Sequence, residues 1–161
     1  MKNAPGVAAI LIFTLTNAVG QAKVLTNDPL TGFPLIPATV VVENAGNTPI
    51  KMPDAQICKS KMQANFYDLY NYFSKRNIKV SEVNSWYSSH LPGFKKVEGY
   101  ESGRSQTAFY NSDRTILIIV TGNKGAPGEN TDAYSVAYER YQPGISEKTV
   151  TSLTQGKIVC Q

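Results

Sequence analysis

The sequence predicts an α+β domain: an antiparallel β-meander of four to five strands, one main helix packed on one face, a short C-terminal helix, and a closing disulfide. Three observations carry that prediction. Extended apolar runs follow one another through the second half of the chain with two to nine residues between them, connections that suit antiparallel neighbours. A single segment, 79–91, has clear helical periodicity. Only two cysteines occur, Cys58 and Cys160.

Taken in order, the chain opens with Lys2, an apolar run from Val7 to Leu15, and small residues at Ala18, Gly20 and Ala22. This is the layout of a cleaved secretory signal over residues 1–22, leaving a mature start at Gln21 or Lys23. The run is shorter than the roughly 20 residues of a spanning helix, and Thr14, Thr16 and Asn17 interrupt it. The expectation is a periplasmic or secreted protein with no membrane span after cleavage. Residues 23–53, rich in Pro, Asn, Thr and Gly, read as a mostly irregular arm with at most one short strand at Ala38–Val42. A single domain then spans 54–161, long enough to bury a core of its own.

Met62, Ala64 and Phe66 alternate with polar residues from Ser60 to Tyr67. Alternation predicts a strand followed by an irregular or short helical turn, although Leu69, Tyr70 and Phe73 also extend a helical face. In the helix at 79–91, Val80, Val83, Trp86 or Tyr87, and His90 or Leu91 fall three to four apart, and Pro92-Gly93 stops it. Trp86, the largest apolar surface in that stripe, is the expected anchor on the sheet.

Strands are expected at 94–100, 106–110, 115–121 and 133–141. The β-branched run Thr115-Ile-Leu-Ile-Ile-Val-Thr121 has the character of a central buried strand. In the last of them, Tyr134, Val136, Tyr138 and Arg140 share one face, while Ala133, Ser135, Ala137, Glu139 and Tyr141 share the other. Ser146 caps a short helix ended by Gly156, and Lys157–Cys160 returns to the sheet. In an oxidising compartment an isolated cysteine pair is most simply a disulfide. Closing a loop of about 100 residues restricts the unfolded chain by about 4–5 kcal/mol in the entropy model, usually less in practice.

The order helix, stop, meander, with Val83-Asn-Ser-Trp86-Tyr87 and Leu91-Pro92-Gly93-Phe94, is similar to that of small exported bacterial α+β domains of unknown function. The resemblance covers Ser60 to Tyr141 and implies a helix leading into a twisted antiparallel sheet. It carries no established active site, so no residue acquires a role from it.

Several function classes are disfavoured by what is missing. One histidine and a paired set of cysteines leave no zinc ligand set, and Gly128-Glu-Asn-Thr-Asp132 lacks the spacing of a calcium loop. His90 adjoins Ser88 and Ser89 on one helix without a nucleophile elbow, so catalysis by a serine triad is not expected. No glycine-rich loop has nucleotide-binding spacing, and no cofactor is implied. The net charge of +4 is weak for nucleic-acid binding, although residues 51–96 hold eight basic side chains against three acidic ones.

What remains is tyrosine. Tyr100, Tyr110, Tyr134, Tyr138 and Tyr141 lie on or beside predicted strands, with Arg104, Arg114 and Arg140 among them. Tyrosine and arginine are enriched at recognition surfaces, while sheet propensity alone also explains tyrosine in strands. The sequence therefore predicts a non-catalytic envelope or secreted protein binding a protein or glycan through this face, with Tyr110, Arg114, Tyr138 and Arg140 at its centre. A hydrolase with an unrecognised carboxylate-based site and a purely structural accessory subunit are the alternatives.

Overall fold

The computed structural model describes residues 25–37, 50–70 and 77–161. Residues 1–22, expected to be a signal, and the apolar stretch Ala38–Val42 lie outside the described residues. Six strands form one antiparallel sheet: β1 (Ile50–Ile57), β2 (Ser60–Asp68), β3 (Lys95–Glu101), β4 (Arg104–Tyr110), β5 (Ile116–Lys124) and β6 (Ala133–Gln142). Their spatial order is β1-β2-β6-β5-β4-β3. Helix α1 (Val80–His90) connects β2 to β3 across the width of the sheet, and α2 (Glu147–Leu153) follows β6. No helix of the described residues is long and apolar enough to cross a membrane.

The chain is thus α+β with an antiparallel sheet and, among the described residues, the two helices α1 and α2, and Cys58 is bonded to Cys160 with their Cα atoms 5.0 Å apart. Six strands exceed the four to five expected. The strand missing from the sequence reading is β1, IKMPDAQI, which straddles the expected boundary between the arm, 23–53, and the domain from 54. Its Pro53 and Asp54 argue against a central strand, and β1 is an edge whose register against β2 slips between Met52 and Ala55. The turn into β2 also lacks the usual signal. Cys58 and Lys59 hold φ of 51° and 65°, a conformation normally supplied by Asn-Gly in a two-residue hairpin. Lys157–Cys160, expected to rejoin the sheet, forms no strand.

Alternation along the inner strands delivers two cores, one on each face. Tyr67, Phe109, Ile116, Ile118, Val120, Val136 and Tyr138 meet α1 together with Leu35 and Ile36 of the N-terminal segment. On the other face Met62, Ala64, Ala108, Tyr110, Leu117 and Tyr141 meet Ile145 and Val150. β5 contributes to both cores, as its unbroken apolar run requires.

Helix α1 docks through Val80, Val83, Tyr87 and Leu91. Tyr87 is fully buried, whereas Trp86 is half-buried at the border of the stripe, which corrects the choice of Trp86 as anchor. One residue along a helix is a rotation of about 100°, and the spacing 83-87-91 wins over 83-86-90. Tyr87 also brings a hydroxyl that finds a buried partner, Tyr138 Oη, at 2.6 Å.

Candidate functional site

The four residues expected to form one recognition surface lie on two. Tyr110 pairs with Leu117 across β4 and β5, whereas Tyr138 pairs with Ile118 across β5 and β6. Leu117 and Ile118 are consecutive, so their partners point to opposite faces. Tyr110 is buried on the α2 side and donates to Glu147 Oε1 at 2.9 Å. Arg114, at φ 54°, donates from Nε to the carbonyl of Ile145 at 2.8 Å and fastens the β4–β5 turn to the segment before α2.

Tyr138 is fully buried on the α1 side, and Arg140 donates to Gln63 Oε1 and to the carbonyl of Leu30. Juxtaposition of the two pairs is therefore corrected: the sheet separates them, and both rings serve cores.

Beneath the N-terminal segment the tyrosines build a closed polar network. Tyr138 Oη donates to the carbonyl of Pro34 at 2.6 Å and meets Tyr87 Oη. The Asp28 carboxylate, fully buried, accepts from Tyr67 Oη at 2.6 Å and Asn65 Nδ2 at 2.8 Å, and also from Leu30 N, Thr31 N and Thr31 Oγ1. Burial pushes the hydroxyls of Tyr67, Tyr87 and Tyr138 well above the usual tyrosine range. These groups are locked as donors and hold residues 28–36 onto the sheet.

Glu139 is the second buried carboxyl, on the α2 face, with Tyr141 Oη donating to it at 2.8 Å. Burial pushes it up to about 7 despite that bond. Asp28 and Glu139 lie on opposite faces, so they do not flank one scissile bond as a glycosidase pair must.

Two surface features lie along α1. An open trough of about 580 Å³ between the helix and β3 is lined by Ser81, Asn84, Ser85, Ser88, Ser89, Lys96 and Glu98. Its two charges neutralise each other at 2.8 Å. At the C-terminal end His90 stacks on Trp86 with centroids 4.1 Å apart, and its Nδ1 lies 2.8 Å from the carbonyl of Trp86 and 2.9 Å from Ser89 Oγ. A nitrogen facing a carbonyl oxygen carries the proton, so this one is not a base towards Ser89. Among the described residues no group of three or more His, Cys, Asp or Glu is arranged to hold a metal ion.

A third feature has the composition of a recognition surface. Tyr70 and Tyr134 are 49% and 39% exposed, the exposed tyrosines among those described. Their ring centroids are 6.3 Å apart at an inclination of 39°. The Arg104 guanidinium lies 3.9 Å above the Tyr134 ring, and its Nη1 donates to the carbonyl of Gly122 at 3.3 Å.

Two ladder irregularities assemble this patch. Thr121 pairs with Ser135 but Gly122 with Ala133, so Tyr134 is the extra residue of a bulge and is released from the face it would share with Tyr138. The β4–β5 register slips likewise between Arg104 and Gln106. Gly122 is required there, because a Cβ would stand 2.4 Å from Ser105 Oγ and 2.7 Å from Thr131 Oγ1. Tyr134 and Arg104 belong to the wider tyrosine and arginine set visible in the sequence. Strict alternation misassigns Tyr134, and nothing local marks Tyr70 as its partner.

Comparison with protein-family models, curated proteins and solved structures finds no match to this chain.

Proposed function

We propose that this chain is an exported, non-catalytic recognition module that binds a protein or glycan partner through the patch of Tyr70, Tyr134 and Arg104. The observation that carries this reading is the exposed tyrosine pair with a guanidinium stacked on one ring, where the other tyrosines among the described residues are wholly or partly buried. Exposed aromatic rings cost solvation and are kept where a partner covers them, and an arginine held over a ring loses little freedom on binding. The disulfide is compatible with an oxidising compartment, which supports export.

The test is capture of partners from a cell-envelope extract by the native chain and by a Tyr70→Ala/Tyr134→Ala variant. Partners held by the native chain should bind the variant at least tenfold more weakly, while its melting temperature stays unchanged. Equal capture by a folded variant would remove this patch from consideration.

A further inference from the structure

We infer that the patch takes an acidic polysaccharide, one whose sugar rings carry carboxylates; this rests on the recognition reading above. The argument begins with Arg104. The ion pairs among the described residues join Lys61 to Asp54, Lys79 to Asp132, Lys95 to Glu147 and Lys96 to Glu98, and Arg104 takes part in none of them. Its cross-strand neighbours are Lys124 on β5 and Glu101 on β3. The carboxyl of Glu101 is turned towards Gly156, where a Cβ would meet its Oε1 at 2.5 Å, and towards Gln106. The guanidinium is thus fixed by a ring and one carbonyl, with a second cation next to it in the ladder. A planar fork held that way matches a carboxylate.

The tyrosines decide what carries the carboxylate. Tyr70 and Tyr134, both exposed and inclined to one another, offer aromatic surface beside the guanidinium. The C–H face of a sugar ring suits the electron-rich face of an aromatic ring, and consecutive sugars supply consecutive faces. An acidic peptide read through its charges would call for a cluster of arginines, where this patch has Arg104 alone, and one bound as an added strand would need a free sheet edge. Both edges are guarded: β1 has Pro53, Asp54 and a register slip, and β3 carries Lys95, Lys96, Glu98 and Glu101. The patch itself lies at bulged strand ends rather than along an edge.

The experiment titrates the full oxidised chain with polygalacturonate, a neutral glucan of matched length and poly-L-glutamate at physiological salt. Polygalacturonate should bind at least tenfold more tightly than either of the others. Arg104→Gln should reduce it to the level of the neutral glucan, and Tyr134→Ala should weaken both glycans. If Arg104→Gln unfolds, Arg104→Lys keeps the charge without the fork and should still lose severalfold. Polyglutamate binding as tightly as polygalacturonate, or a folded Arg104→Gln that binds as the parent does, overturns the inference. Failure to bind polygalacturonate, with partner capture still dependent on Tyr70 and Tyr134, overturns the acidic-glycan assignment and leaves the recognition surface standing.

Discussion

The two faces of the sheet are made by the same alternating strands, yet they treat buried polar atoms differently. On the α1 face the Asp28 carboxylate accepts from Tyr67, Asn65, Thr31 and two backbone amides, and Tyr138 is partnered by Tyr87 and Pro34. On the α2 face Glu139 receives one hydrogen bond, from Tyr141, and pairs across the strands with Ala64 and Leu117 of an apolar cluster. Several donors compensate a buried carboxylate for the water it has lost, whereas burial with a single donor pushes Glu139 towards its neutral form. The contrast is one of partnering: five donors meet the Asp28 carboxylate and one meets Glu139.

The largest expected effect is on the α1 face. Tyr87→Ala should cost about 4 kcal/mol, the usual loss for truncating a buried aromatic, and lower the urea midpoint accordingly. Trp86→Ala, at the half-buried border position, should cost about 1 kcal/mol. If the two losses are reversed, the helix docks with the other ring inward and the polar network is not as described.

The next effect belongs to Glu139. Its carboxyl titrates near 7 when folded and near the ordinary 4.5 when unfolded, so between those values the folded state holds a proton the unfolded state lacks. Its contribution to stability is therefore complete below pH 4.5, declines as pH rises, and is lost above 7, a difference of about 3 kcal/mol. Asp54 and Glu147, both lowered by hydrogen bonds to Lys61 and Tyr110 respectively, act with the opposite sign at lower pH. Chemical denaturation at pH 5 and pH 8 should show the decline, and Glu139→Gln should flatten it. A native profile already flat across that interval would mean the carboxyl is solvated.

The smallest effect tests the closed network. Tyr138→Phe leaves the Pro34 carbonyl without its donor and removes the hydroxyl facing Tyr87, at a cost of about 1–2 kcal/mol. Tyr141→Phe on the other face should instead raise the apparent pKa of Glu139, read from the same pH series. Equal, pH-independent losses at both positions would erase the distinction between the faces.

Much of this fold was legible in the sequence because alternation and helical spacing are local. The apolar run of β5, the Pro-Gly stop of α1 and the isolated cysteine pair each point to the element or bond found. β1 was hidden because an edge strand does not need an apolar pattern and its turn uses Cys-Lys where Asn-Gly is the recognisable signal. The candidate site was only partly legible. Its residue types were visible, but a period of two carried Tyr134 to the face of Tyr138, and a single extra residue in β6 undid that assignment. Bulges break a count without changing the letters around them.

The disulfide has a mechanical meaning. Cys58 and Cys160 are 102 residues apart in the chain, so β2 through α2 lie inside one covalent ring while β1 and the segment before it lie outside. Tension applied between the two ends of the chain would first have to release residues 28–36 from the α1 face, then peel β1 from β2 one pair at a time from Ile50 and Phe66, and would then arrive at Cys58. Beyond that point force between the chain ends passes through the bond to Cys160 and bypasses the five remaining strands, so β4 and β6, which carry Arg104 and Tyr134, would be shielded from a pull between the two termini.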